Sequence, residues 1–194
     1  MKSALLVVDA QKVYTDPSSE LYCKGAAATV KNINALIGRF QRNRLPIFLV
    51  RHVHKADGSD LGRMFDYTGE AEDDFNFKEG SAEVEYDANL RRPANAIEIV
   101  KNRYSAFTGT GLHERLKPAG ISDVAVCGFM TNFCCESTAR DAHDLDYFVD
   151  FVIDATGTPG TDKLDQRKIR SVVAELLGAG FARVTTTKKY LKRA

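Results

Sequence analysis

The chain has 194 residues, enough for one domain with a full core and too few for two. Apolar residues make up 44% and charged residues 27%, the balance of an ordinary globular domain, and the net charge of +1 excludes a global field that would draw it to nucleic acid or a membrane surface. No apolar run approaches the ~18 residues of a membrane span. The opening MKSALLVVDAQ has too short an apolar run for a secretory signal and no small-residue cleavage site, so it reads as the first strand.

Strand and helix signals alternate from there. Ala4–Val8 is a buried strand ending at Asp9. Val30, Ile33, Leu36, Ile37 and Phe40 fall on one helical face, which predicts an amphipathic helix over Ala27–Asn43. Pro46 opens a second strand, Ile47–Arg51. The stretch from His54 to about Arg92 is polar and irregular, and long enough to expect a functional loop. Ile97–Val100 is a third strand ending at Lys101, and Val124–Cys127 a fourth, followed by a helix from about Asn132 to Asp144. Phe148–Ile153 is a fifth strand, running into DATGTPG. Ile169, Val172, Val173, Leu176 and Leu177 form the apolar stripe of a last helix, stopped by Gly178, before a sixth strand at Ala182–Thr185. Alternation of this kind predicts a single three-layer α/β/α domain over residues 1–194, with a doubly wound, Rossmann-like sheet of six parallel strands. Chemistry in such sheets sits at the carboxyl ends of the strands.

That edge collects the reactive residues. Cys134 falls in the turn from the fourth strand into its helix, where the helix dipole is expected to lower the thiol pKa and unpaired N–H groups can hold an oxyanion. Asp9 at the end of the first strand is a candidate general base. Lys101 at the end of the third is a candidate partner that holds Asp9 ionised and adds positive potential beside the thiol. Cys23, Cys127 and Cys135 read as packing residues. The four cysteines show no disulfide framework and no CxxC pair, which points to a reducing, cytoplasmic setting. His52 and His54 could begin a metal site, to which the loop could add Asp57 or Asp60, but nothing in the sequence fixes that geometry, and no metal is expected. RHVHKADGSDLGRMF follows the second strand directly, so His52, Arg63 and Phe65 are expected at the substrate, with Phe107 lining one wall. GFMTNF is not G-x-G-x-x-G, so no dinucleotide cofactor is expected, and the basic KKYLKRA tail reads as a solubilising end.

Four stretches, LLVVDAQ, VKNRYSAFTGTGL, VAVCGFMTNFCCESTARDA and VIDATGT, resemble the isochorismatase-like cysteine hydrolases, which include nicotinamidase, N-carbamoylsarcosine amidase and isochorismatase. The third, with its G-x-x-T-N-x-C-x-x-x-T-A-R-D-A pattern, is highly specific. The resemblance implies an Asp9–Lys101–Cys134 triad. It also implies a cis peptide between Phe129 and Met130 that aims the N–H groups of Met130 and Cys134 into an oxyanion hole. It departs from nicotinamidases at one place: their Asp-x-His pair is matched here by His52-Val53-His54, with no later histidine in the 55–90 loop.

The expected activity is hydrolysis of a small amide, ureido or carbamoyl C–N bond through a thioester, with a small molecule as substrate, no cofactor, no nucleic acid or membrane partner, and a homo-oligomer (dimer or tetramer) as the working form. The alternatives are vinyl-ether hydrolysis of the isochorismatase type, which needs no thiol, and a non-catalytic binding module on the same fold.

Overall fold

The structure is a computed structural model that describes residues 2–69 and 74–193. Strands β1 (Lys2–Val8), β2 (Ile47–His52), β3 (Ile97–Lys101), β4 (Ile121–Phe129), β5 (Phe148–Gly157) and β6 (Arg183–Thr185) form one parallel sheet in the order β3-β2-β1-β4-β5-β6. The chain starts in the middle, winds outward to β3, then returns to β4. The winding therefore reverses between β1 and β4, and a crevice opens there at the carboxyl edge.

Strand alternation explains the layers. Leu5 and Val7 of β1, with Ala125, Cys127 and Phe129 of β4, pack on Ile33, Leu36, Ile37 and Phe40 of helix α2 (Ala26–Arg42), which follows the short α1 (Lys12–Thr15). Ala4, Leu6 and Val8, with Val124 and Val126, pack on the opposite helices, α3 (Leu112–Leu116), α4 (Glu136–Asp144) and α5 (Gln166–Gly178). The terminal α6 (Thr187–Leu191) closes the α2 side through Tyr190, whose ring stacks on Phe40. Central strands buried on both faces read as continuous apolar runs, which is why β1 was plain in the sequence.

Several boundaries differ from the sequence-based expectation, each for a local reason. β4 and β5 are longer than predicted, because after a register shift the pairing resumes at Gly128↔Thr156 and Phe129↔Gly157, drawing DATG into the strand. The apolar stripe of α5 is narrower than predicted: Ile169, Val173 and Leu177 are buried, while Val172 and Leu176 are half exposed on the outer side. Helices α1, α3 and α6, of four or five residues each, are too short to show a periodicity. The segment between β2 and β3 is far from structureless. Phe77, Val84, Tyr86 and Leu90 bury into the α2-side core, and bridges Gln11↔Tyr86 and His54↔Lys78 pin it to the strand ends. Positions 70–73 of that stretch lie outside the described residues. Among the described residues no helix is long and apolar enough to cross a membrane.

At the switch point β4 comes so close to β1 that a Cβ on Gly128 would stand 1.8 Å from the Val8 carbonyl oxygen, and Gly128 itself has φ +127. Only glycine fits there, one turn before the cysteine segment.

Candidate active site

Asp9 is the first residue past β1 and is fully buried with φ 47, a left-handed conformation that Asp tolerates better than most residues. Its N–H donates to the Val50 carbonyl at 3.0 Å, which anchors the strained turn to β2. Lys101 closes β3, two strands away, a separation of roughly 10 Å at ordinary strand spacing. A lysine side chain can cross that gap. Its Nζ ends 2.8 Å from Asp9 Oδ2 and 3.3 Å from Cys134 Sγ, and donates also to the Arg103 carbonyl at 3.0 Å. Cys134 arrives from β4 by way of a cis Phe129–Met130 peptide and a wide, π-type turn over Thr131–Cys135 that runs into α4. Thus the three residues read from the strand ends meet at one point.

Their electrostatics correct one expectation. Cys134 is buried, and burial pushes its thiol up to about 12 against the pull of the Lys101 ammonium. This runs opposite to the lowering predicted from the helix terminus, because desolvation is the largest influence on the thiol. Burial thus favours the neutral thiol. Burial also raises the pKa of Asp9, partly offset by Lys101 and by the thiol. Burial opposes the charge on Lys101, but Asp9 and Cys134 more than offset it, and its pKa stands above the ordinary lysine value. The other three cysteines are free and buried, with thiols pushed up by desolvation.

Cys134 and Met130 line a cavity of about 310 Å³, walled by His52, Phe65, Phe77 and Phe133. Two residues expected at the substrate do not line it. Arg63 extends into solvent and pairs with Asp66. Phe107 packs on Tyr147 at 5.9 Å, in the core on the α4 side of the sheet. A wider groove of about 930 Å³ runs past Tyr22, Thr158 and Arg170, but none of Asp9, Lys101 and Cys134 lines it. The smaller cavity is the one with chemistry.

His52 and His54 are both buried, with their Nε2 atoms 3.0 Å apart. Among the described residues the ligand atoms that converge as a metal set belong to Asp9, His52 and Cys134, all within 4.8 Å of one another, and His54 is not part of that set. The Lys101 ammonium touches two of the three. A site that already holds a buried cationic group does not fit a metal ion, nor does it reproduce the nicotinamidase ligand pattern.

Sequence reading missed the residues that hold this arrangement. The Gln11 side chain accepts from the His52 N–H at 2.8 Å and donates to the carbonyls of His52 and Val84 at 3.0 Å each, clamping β1 to β2 and to the loop. Asn102 and Arg103 hold Asp60, at 3.0 Å to its Oδ2 and 2.9 Å to its carbonyl oxygen. Tyr14 lines the cavity and stacks on Phe129 at 5.7 Å. A buried glutamine two residues after Asp9 was the one available signal.

The Isochorismatase domain model matches residues 3–189. Nicotinamidase 3 of Arabidopsis thaliana is 33% identical over 80% of this chain and 73% of its own length. A cysteine hydrolase of Pseudomonas syringae pv. phaseolicola superposes with a TM-score of 0.90 at 28% identity, covering 98% of this chain and 91% of the other. N-carbamoylsarcosine amidase of Thermoplasma acidophilum does so with a TM-score of 0.77 at 26% identity, over 96% and 97%. With the fold, the strand order and the matched span in agreement, this chain belongs to the isochorismatase domain family of hydrolases.

Proposed function

We propose that this protein hydrolyses the C–N bond of a small, neutral amide, ureido or carbamoyl compound, with Cys134 as nucleophile. The observation that carries the reading is the buried contact of Lys101 with both Asp9 and the Cys134 thiol beside a small cavity. Asp9 takes the thiol proton and the thiolate attacks the carbonyl carbon. The N–H groups of Met130 and Cys134 stabilise the oxyanion, a contribution of about 3 kcal/mol for such a donor. Asp9 returns the proton to the leaving nitrogen as the C–N bond breaks. A water molecule, deprotonated by Asp9, then cleaves the thioester and the thiol regains its proton. Lys101 stays charged throughout and keeps Asp9 from holding its proton too tightly.

Relatives named nicotinamidase and N-carbamoylsarcosine amidase support an amide or carbamoyl substrate. Among the described residues none that lines the cavity is a lysine or an arginine, and most are apolar or aromatic, which suits an uncharged, flat compound better than an acid. The test is ammonia release from a panel of small amides, ureas and carbamoyl compounds by the wild type and by Cys134→Ala. Turnover of a panel member that Cys134→Ala abolishes is expected. A Cys134→Ala enzyme that keeps most of its activity would point to ether hydrolysis instead.

A further inference from the structure

Lys101 reaches from β3 across β2 to a point between Asp9 and Cys134, and a long, rotatable side chain has to be held there. An ammonium has three hydrogens, and each finds one acceptor: Asp9 Oδ2 at 2.8 Å, Cys134 Sγ at 3.3 Å and the Arg103 carbonyl at 3.0 Å. The first two acceptors are the groups that the ammonium serves. The third is the fixed point that decides how the other two hydrogens are aimed, and strand pairing does not supply it. β3 ends at Lys101, whose carbonyl accepts the Val53 N–H at 2.9 Å, and past it no backbone hydrogen bond among the described residues holds Asn102 or Arg103.

Side chains hold that turn instead. The Arg103 guanidinium folds back over its own segment, and its Nη1 donates to the Asn102 carbonyl and, at 2.9 Å, to the Asp60 carbonyl. Asp60 is itself anchored: its Oδ2 accepts the Asn102 amide at 3.0 Å and its Oδ1 the Lys55 N–H at 3.0 Å. Gly62 makes room for the guanidinium, since at its φ of +60 a Cβ would stand 2.6 Å from Arg103 Nη2. A planar guanidinium presents its hydrogens in fixed directions, so it sets the two carbonyls relative to each other as a lysine's rotating ammonium does not.

We propose that Arg103 is a positioning residue for the triad: by gripping the Asn102 and Asp60 carbonyls it sets its own carbonyl as the third acceptor of Lys101, and so holds the ammonium between Asp9 and Cys134. Arg103 acts through Lys101 and not on the reacting atoms. The placement stands on the contacts above; its catalytic consequence rests on Cys134 being the nucleophile. Lys101 is what opposes burial at both partners, pulling down the pKa of the thiol and of the Asp9 carboxyl. When the third acceptor shifts, the ammonium drifts and both groups lose part of that pull.

The test reads Cys134 before it reads turnover. Iodoacetamide alkylation of the full chain at one mildly alkaline pH, followed site by site by mass spectrometry, is expected to slow about 10-fold at Cys134 in Arg103→Met, the effect of one pKa unit on the thiolate fraction. Arg103→Lys, which keeps a donor able to reach one carbonyl, is expected to recover part of the rate. Gly62→Ala, whose Cβ crowds the guanidinium without touching the triad, should slow alkylation in the same direction, and with Arg103→Lys it carries the test if Arg103→Met does not fold. On any amide that turns over, Arg103→Met should move the acid limb of kcat/KM to higher pH, because Asp9 loses part of the offset that Lys101 gives it. Arg63→Met, a solvent-facing arginine of the same loop, is expected to move neither readout. A role confined to holding the fold gives the opposite sign: a loosened cavity exposes the thiol and speeds its alkylation, and turnover falls with the acid limb in place. Unchanged or faster alkylation in the variants, or a lower turnover with an unmoved acid limb, overturns the positioning role. If alkylation slows as stated and no amide, ureido or carbamoyl compound releases ammonia, the amidase reading falls and the placement of Lys101 by Arg103 stands.

Discussion

Two buried polar clusters share the carboxyl edge of this sheet, and they meet the cost of burial in opposite ways. Asp9 and Lys101 keep full charges in the interior beside the Cys134 thiol and pair them, ammonium against carboxylate at 2.8 Å. His52, His54 and Asp60 keep the innermost imidazole neutral and place the only carboxylate at the more exposed end, where backbone and amide donors satisfy it. In the proposed mechanism the first arrangement moves protons, because its groups have pKa values displaced by burial and by one another. The second, with two imidazoles in contact at 3.0 Å, offers neutral polar atoms and little charge. Removing a member should therefore do different things in the two clusters: abolish chemistry or expose a buried charge in the first, and change selectivity in the second.

The largest expected effect is that of Cys134→Ala, a loss of about 10⁴-fold or more in kcat on the best amide, with far-ultraviolet circular dichroism unchanged. Next is Lys101→Met. It strands Asp9 as an uncompensated buried carboxylate, and urea denaturation should show a loss of about 3–5 kcal/mol. Asp9→Asn combined with Lys101→Met should cost clearly less than the sum of the two single variants, since the pair vanishes together. Additive costs would show that the two charges are not coupled and break the contrast between the clusters.

A smaller, pH-dependent effect follows from Asp9. It must be a carboxylate to take the thiol proton, and burial raises its pKa above the ordinary 3.8. Activity should therefore fall, as the medium is acidified, at a higher pH than an exposed aspartate would set. The thiol, held up to about 12, should alkylate slowly with iodoacetamide at neutral pH and faster as the pH rises. Cys134, which lines the cavity, should label ahead of Cys23, Cys127 and Cys135. An acid limb at the ordinary aspartate value, or preferential labelling of Cys23 or Cys135, counts against the assigned roles.

The two clusters also differ in how legible they were in the sequence. The charged one was readable because each member sits at the end of an apolar strand, and parallel topology brings strand ends together whatever the side chains do. Cys134 was harder: its position followed from the topology, but its pKa did not, because desolvation depends on how completely its surroundings enclose it, Tyr14, Phe133 and the loop's Phe65 and Phe77 among them. The imidazole cluster was half readable. His52 belongs to β2 and follows from its strand. The His54–Asp60 link depends on a loop that Arg103 and Asn102 fold back on the sheet, and no periodicity encodes such a fold. Arg63 in that loop and Phe107 in the segment after β3 show the same difficulty: proximity to a strand end in sequence did not tell which side chains face the cavity and which face solvent or the opposite core.

The smallest expected effect is that of metal removal. Asp9, His52 and Cys134 have ligand atoms close enough together to suggest a cation site. The Lys101 ammonium, however, lies 2.8 Å from one and 3.3 Å from another, and its pKa is raised rather than lowered, so it does not step aside by losing its proton. At an effective dielectric near 20, two unit charges 4 Å apart repel by about 4 kcal/mol, and a divalent ion doubles that. The carboxylate that would have to attract the ion is already compensated by Lys101, and the thiol beside it is held protonated by burial. Turnover after exhaustive dialysis against a chelator should therefore stay within about twofold of the untreated enzyme, since in the proposed mechanism nucleophile and oxyanion donors both come from the chain. Adding zinc, manganese or iron should not raise it. Loss of most activity, restored by one of these metals, would mean that the two imidazoles are a ligand pair, and the contrast between the two clusters would fail at that point.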